Sequence, residues 1–269
     1  MTNETNPDVV SQFYHNVQFP SEYSENDVSK KTSNFYLQEF LELEYLPNQS
    51  KILDAGCGTG FTTHVIANLR HDTNILGIDF SDTSLLYAKN YAEKNKIKNV
   101  RFQLMDLNKI DLQEKFDVIH SSGVLHHIKN PRPIFHELCK LLKPNGIFIC
   151  GLYHPYGRFS IHCRQLFFKL TGGRFRNVDP RIRNEDWSQE KKDIWFSDQY
   201  EHPHERDYSH KTLLKWFKEE NLKLVGSIPK YSGKNMDYNL TLLTEYGSQG
   251  GLFIFVGKKP KESSKRKND

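Results

Sequence analysis

Three glycines and three carboxylates carry the first chemical signal in this chain. The glycines alternate in Asp54-Ala-Gly56-Cys57-Gly58-Thr-Gly60, and spacing of this kind lets backbone amides approach a ligand closely. Asp54 sets a negative charge beside the loop, which suits an ammonium group and opposes a phosphate. A dinucleotide fingerprint needs glycine where Phe61 stands, and no Gly-Lys-Ser/Thr follows, so a phosphate-cradling loop is excluded. About twenty residues on, Gly77-Ile-Asp79-Phe80-Ser81 offers a carboxylate to the two hydroxyls of a ribose. Farther on, Met105-Asp106-Leu107 offers an acid for an adenine amine and apolar side chains to flank a ring.

Histidines form the second signal. His126 and His127 follow an apolar segment, His154 precedes a proline, and His202, His204 and Glu205 lie close together. Histidine titrates near neutrality and serves as base or orienting donor. His127, His154 and His204 are the candidate catalytic residues, and the His202–Glu205 cluster is expected to close over a substrate. The pattern predicts no metal, because a single carboxylate accompanies the two histidines.

These residues need a scaffold, and the apolar pattern supplies one. Strand-like segments begin at Ile52 and run over 74–78, 100–104, 116–120 and 146–152; helical segments run over 61–69, 81–95 and 133–142. Ser81 and Asp82 are helix-capping residues. Such alternation implies right-handed crossovers and a mostly parallel sheet, with ligands at the carboxyl ends of its strands. Residues 34–46 predict a helix ending near Pro47. After a break come a helix over 211–221 and strands over 222–227 and 252–256.

The break, 153–208, is too long for a simple loop and reads as a lid or substrate-recognition insertion. It predicts an amphipathic helix over 159–170. It also concentrates Arg158, Arg164, Arg174, Arg176, Arg181 and Arg183, which suit carboxylates or phosphates. Trp187, Trp195, Phe196 and Tyr200 fit either a pocket wall or a small core of the insertion's own. The expected domains are a flank and helix over 1–47, a catalytic domain over 48–258 containing the insertion, and a basic tail over 259–269.

As a set, Ile52–Gly60, Gly77–Ser81, Met105–Leu107, Phe116–Ile128 and Leu141–Ile147 resemble the class I methyltransferases, within the type 11 or ubiquinone/menaquinone-biosynthesis-like group. The resemblance covers about 48–152. It implies an α/β, Rossmann-like, doubly wound sheet of seven strands with a reversed last strand, and S-adenosyl-L-methionine as cofactor. It puts Asp54, Gly56, Cys57, Gly58 and Gly60 against the methionine part and Asp79 with Phe80 at the ribose. Met105, Asp106 and Leu107 fall at the adenine, Ser121 and Ser122 beside the sulfonium, and Tyr14 within reach from the N-terminal flank. Flanks such as Phe13-Tyr14 and His202-Pro-His-Glu205 resemble a subset of relatives without a defined substrate.

The expected reaction is in-line transfer of the sulfonium methyl to O, N or C of a small molecule, an acidic one being suited to the arginines. RNA, notably tRNA, is the alternative acceptor, and a non-catalytic cofactor-binding module the second alternative. Against RNA, Ser121-Ser-Gly-Val124 stands where many methylases of planar amines carry Asn/Asp-Pro-Pro-Tyr/Phe. The net charge of +4 is mild, four cysteines show no paired spacing, and no apolar run reaches ~20 residues. A cytoplasmic protein without a membrane span is expected.

Overall fold

Strand β1 (Lys51–Ala55) is buried along all but its first residue, as expected of a central parallel strand covered on both faces. The computed structural model describes Phe13, Tyr23, Val28 and residues 48–246 and 250–261. The helix expected over 34–46, Tyr14 and the last eight residues of the basic tail lie outside the described residues. Around β1 stand β2 (Asn74–Asp79), β3 (Val100–Leu104), β4 (Phe116–Ser122), β5 (Leu142–Tyr153), β6 (Lys223–Ile228) and β7 (Leu252–Lys258). Their order is β3-β2-β1-β4-β5-β7-β6. The first five are parallel, and β7 runs antiparallel to both β5 and β6. This is the doubly wound sheet with a reversed last strand that the sequence resemblance implies.

Alternation along the strands builds two apolar layers. Leu53, Ala55, Ile119, Phe148, Phe253 and Phe255 face one side, with Phe135, Leu138, Trp216 and Phe217 packed on them. Ile52, Ile75, Val118, Ile149 and Val256 face the other, with Ile66 and Ala67. The helices that supply these layers are α1 (Phe61–Leu69), α3 (Pro131–Leu141) and, later in the chain, α6 (His210–Glu219), while α2 (Asp82–Lys94) lies against β2 and β3. Phe135 stacks on Phe148 at 4.8 Å with its ring tilted by 16°. Cys139 and Cys150 are buried core residues, as their apolar context suggests.

The stretch after β5 is mostly helical. It holds α4 (Pro155–Thr171), α5 (Gln189–Phe196) and a wide turn over Ser197–Glu201. His154 caps α4: its Nδ1 accepts the Tyr156 amide at 3.2 Å, and Pro155 occupies the first turn, where a missing N–H costs nothing. Gly172, at φ 61°, ends the helix in the left-handed conformation. The helix begins four residues before the amphipathic pattern does, because the histidine cap and proline extend it. Phe168, Ile182 and Phe196, with Trp195 and Tyr200 against them, form a separate small core. Of the two roles open to those aromatics, Trp195, Phe196 and Tyr200 take the structural one. A further helix, α7 (Asn235–Thr241), lies between β6 and β7 and packs along α4.

Candidate active site

The glycine loop turns sharply out of β1. Gly56, Gly58 and Gly60 all have positive φ, at 81°, 52° and 81°. Two of them are also required by packing. A Cβ on Gly56 would stand 2.5 Å from the Val124 methyls, and one on Gly60 would stand 2.8 Å from Ala88. The loop is therefore pressed between α2 and the turn after β4. Its amides are held from within: Gly56 and Cys57 both donate to the Ile78 carbonyl at 2.8 and 3.0 Å, and Gly58 donates to Asp79 Oδ2 at 2.8 Å. Cys57 is buried beneath the loop, where burial raises its thiol pKa well above the usual value.

Asp54 is a buried hub. Its Oδ2 accepts the Thr63 hydroxyl at 2.6 Å and its Oδ1 meets His120 Nδ1 at 2.8 Å. Both oxygens thus have protein partners, and the carboxylate acts on the site through the backbone it fixes. His120 escaped the sequence reading, since a histidine inside an apolar strand gives no signal until its neighbour strand is known.

Asp79 ends β2 and accepts the Ser81 amide at 2.9 Å as well as that of Gly58. Burial raises its pKa, and these two amides oppose the rise. Phe80 beside it is exposed, Met105 is half-buried, and Asp106 is exposed with Oδ1 taken by the amide and side chain of Asn108. Leu107 is buried below them. Gly56, Gly58, Phe80, Met105 and Asp106 thus form a broken band of accessible surface across the carboxyl ends of β1, β2 and β3.

The ends of β4 and β5 carry the second half of the site. Ser121 is buried and donates to the Ala55 carbonyl at 3.0 Å, tying β4 to β1, whereas Ser122 is half-buried. The turn Leu125–His127 follows. His126 is fully buried, stacks on Tyr153 at 3.9 Å, and has no hydrogen-bond partner on either ring nitrogen among the described residues. His127 contacts the His204 carbonyl through Nδ1 at 3.3 Å and lies 4.0 Å from the His202 ring. Phe13 meets the other side of His202 at 4.8 Å.

Residues 202–208 are stitched across these strand ends. Arg206 donates its amide to the His126 carbonyl at 3.0 Å, and Tyr208 donates to the Tyr153 carbonyl at 2.8 Å. Arg158 lies within the same cluster. It is fully buried, with its guanidinium 4.1 Å over the Tyr153 ring, and pairs with Glu205 and Gln199. Burial lowers the pKa of His126 and His127 well below the usual range, takes His202 down to about 4, and lifts Glu205 to about 7. The imidazoles are therefore neutral near pH 7.

Placement separates the catalytic candidates. His127 and His204 meet at this cluster. His154 stands apart as the α4 cap, with its second nitrogen 3.2 Å from His210 Nδ1. The insertion's arginines are largely engaged within the insertion: Arg164 donates to the Tyr200 hydroxyl, Arg176 pairs with Asp193, and Arg181 lies over Trp195. With Arg158 neutralised by Glu205, they build no open anion pocket among the described residues. A hollow of about 250 Å³ lined by Phe217, Leu222, Leu224 and Pro260 lies near the amino ends of the parallel strands, away from all of this.

Residues 46–167 match the family model of the methyltransferase domain. Over these residues the chain resembles a methyltransferase domain, a family whose members use S-adenosylmethionine. An uncharacterised protein of Synechococcus is 32% identical over 65% of this chain and 48% of its own length. A malonyl-[acyl-carrier protein] O-methyltransferase of Bacillus anthracis is 32% identical over 47% of this chain and 46% of its own length. The chain thus spans about half the length of these curated relatives. Among solved structures, the N-methyltransferase NodS of Bradyrhizobium japonicum, in complex with S-adenosyl-L-homocysteine, superposes with a TM-score of 0.55 at 14% identity. That match covers 94% of this chain and all of that one. At this identity the likeness is one of fold.

The residues of this methyltransferase domain fit a sulfonium nucleoside. The positive-φ loop opens no ring of free amides for a phosphate, since those of Gly56, Cys57 and Gly58 are internally bonded. Asp79 sits at the end of β2 with a carboxylate already oriented by two amides, and Asp106 Oδ2 has no partner among the described residues. When bound, the cofactor supplies an electrophilic methyl on a good leaving group. The protein's task is then to align an acceptor with it, and alignment of that kind supplies up to ~7–11 kcal/mol.

Proposed function

We propose that this chain methylates a small molecule at a proton-bearing oxygen or nitrogen, and that His126 orients it by accepting its hydrogen bond. The observation that carries the reading is the His126 ring: buried, neutral, and without a partner on either nitrogen. A buried polar group left unpaired costs about 1–3 kcal/mol, so the ring calls for a partner, ligand or water, that the described residues do not supply. His126 belongs to the turn whose Val124 presses on the glycine loop, which brings it next to the cofactor end of the site. A neutral imidazole accepts a hydrogen bond from a hydroxyl or an N–H, and burial together with the nearby Arg158 makes His126 a weak base, so its part is mainly to orient the acceptor.

In this reading Asp79, Phe80, Met105, Asp106 and Leu107 hold the nucleoside, and Gly56, Gly58, Gly60 and Ser122 shape its sulfonium end. Residues 202–208 are the cover. They are held over the strand ends by backbone bonds to His126 and Tyr153, by His127 against the His204 carbonyl and by the buried Arg158–Glu205 pair. The pairing of Arg158 with Glu205 favours a neutral acceptor over a carboxylate.

The test is calorimetric titration of the full chain with S-adenosylmethionine, followed by methyl transfer to a panel of phenols, alcohols and amines. Saturable binding, with turnover that falls at least a hundredfold in His126→Ala while binding holds, is the expected result. Binding without turnover on any acceptor would favour a cofactor-binding module. Absence of binding would end the reading altogether.

A further inference from the structure

Helix α4 has two apolar faces. One is buried: Gly157, Ile161 and Phe168 turn into the protein together with Arg158. The other is open to solvent. Tyr156, Phe159, Cys163, Leu166, Phe167 and Leu170 are all exposed, with Phe159 at 58%, Leu166 at 60% and Leu170 at 78% of their full accessible surface. At about 100° per residue these six side chains fall within an arc of roughly 100°, opposite the buried face. Over its 17 residues the helix is about 25 Å long, and the stripe runs most of that length. Phe175 and Val178, exposed just beyond, extend the apolar surface. Exposed apolar surface gathered in one stripe marks an interaction site, whereas single exposed residues do not.

Within the α4 segment itself the charged side chains have one sign, and Asp193, Glu201 and Asp207 approach it from neighbouring segments. Between Pro155 and Val178 the sequence holds Arg158, Arg164, Lys169, Arg174 and Arg176 and no acidic residue. Arg158 is buried against Glu205, Arg164 reaches Tyr200, and Arg176 pairs with Asp193. Lys169 and Arg174 are exposed and have no ion-pair partner among the described residues. Neighbouring α7 shows exposed Met236 and Leu240, and the wide turn after it exposed Leu243; the acids Asp237 and Glu245 lie in the same stretch.

The geometry points to α4 as a docking surface for an anionic lipid bilayer. A helix with an apolar face and basic flanks lies in the membrane interface, its apolar side chains among the acyl chains and its cations among the headgroups. A second copy of this chain fits less well, because the segment offers no acid to meet the cations of its twin. Nor does the inference require a spanning segment: no helix of the described residues is long and apolar enough to cross a membrane. The face of α4 turned away from the bilayer carries Arg158, so docking would set the Arg158–Tyr153–His126 cluster close to the membrane surface. The inference does not rest on the methyl-transfer reading.

The experiment is sedimentation of the full chain with phosphatidylcholine vesicles, with and without roughly one-third phosphatidylglycerol. Binding is expected to the anionic vesicles, weakening with salt and by about fivefold for each of Lys169→Gln and Arg174→Gln. Leu166→Glu and Leu170→Glu are expected to abolish it. Unchanged melting temperature and unchanged heat of S-adenosylmethionine binding would show these variants folded, and that heat also reports on the cofactor site separately. Three results would overturn the inference: no sedimentation with either vesicle, equal sedimentation with both, or binding indifferent to Leu166→Glu and Leu170→Glu. A dimer seen by light scattering that Leu170→Glu dissociates, in the absence of vesicle binding, would assign the stripe to a second copy instead.

Discussion

Asp54, at the end of β1, and His120, near the end of β4, face each other at 2.8 Å with almost no exposure to solvent. The contact joins two adjacent parallel strands just beneath the glycine loop, and Thr63 on α1 completes it from the far side of Asp54. Removing one member leaves the other buried and short of a partner. His120→Ala is therefore expected to cost about 2–3 kcal/mol of unfolding free energy, as for a hydrogen bond to a charged group. Urea unfolding of His120→Ala, Thr63→Ala and the double variant checks this. Simple additivity of the two losses would show that they do not act as one network.

Gly56 is held by two separate constraints, positive φ and contact with Val124. An alanine there is expected to cost about 1–2 kcal/mol for the left-handed conformation and a further ~1–3 kcal/mol for overpacking. Val124→Ala in the same chain relieves only the second part. Thermal unfolding of Gly56→Ala with and without Val124→Ala measures the two, and no recovery in the double variant would show that the contact carries no cost.

Asp79 orients the loop through Gly58 and the start of α2 through Ser81. Asp79→Ala is expected to weaken S-adenosylmethionine by at least tenfold and to lower stability as well, since two buried amides lose their acceptor. Asp79→Asn keeps one acceptor oxygen and is expected to fall between. Calorimetry on both variants gives the order, and an affinity unchanged in Asp79→Ala would remove the carboxylate from the cofactor site.

Stability should fall in mild acid. Burial depresses His64, His154 and His202 to about 4 and holds His126 and His127 well below the usual value. A histidine depressed in the folded state binds its proton more readily when unfolded. Its contribution is complete above the unfolded pKa of about 6.5 and is lost as pH falls through the folded value. Glu205, Asp79 and Asp207, raised by burial, act in the opposite sense over part of this range. At about 1.4 kcal/mol per proton per pH unit, the histidine excess gives a net loss of roughly 1–3 kcal/mol per unit below pH 6.5. Denaturant titrations at pH 7.0, 6.0 and 5.0, values chosen at about one-unit steps across this window, check the slope. A flat profile would mean these rings are not held neutral by the fold.

Much of the scaffold could be read along the chain because it depends on local period. Helix α1 occupies the residues its apolar pattern marks, and β3 runs over Val100–Leu104 as read. Apolar alternation also located the other strands, and Ser81 accepts the Ser84 amide as a capping residue should. The glycine spacing told against a phosphate loop by residue type alone, and the internal bonding of the Gly56, Cys57 and Gly58 amides gives the physical basis for that.

Tertiary structure decided what required residues far apart in sequence. His120 acquires meaning from Asp54 across a strand pair, and His126 becomes the unpartnered ring only once residues 202–208 and Tyr153 close around it. The arginines of the insertion suit anions by residue type, but Glu205, Tyr200 and Asp193 turn Arg158, Arg164 and Arg176 to structural use. A period in the sequence reports which side chains share a face. Whether a polar group on that face is satisfied, paired or left open depends on partners brought in by the fold, and long-range contacts of that kind leave no local trace.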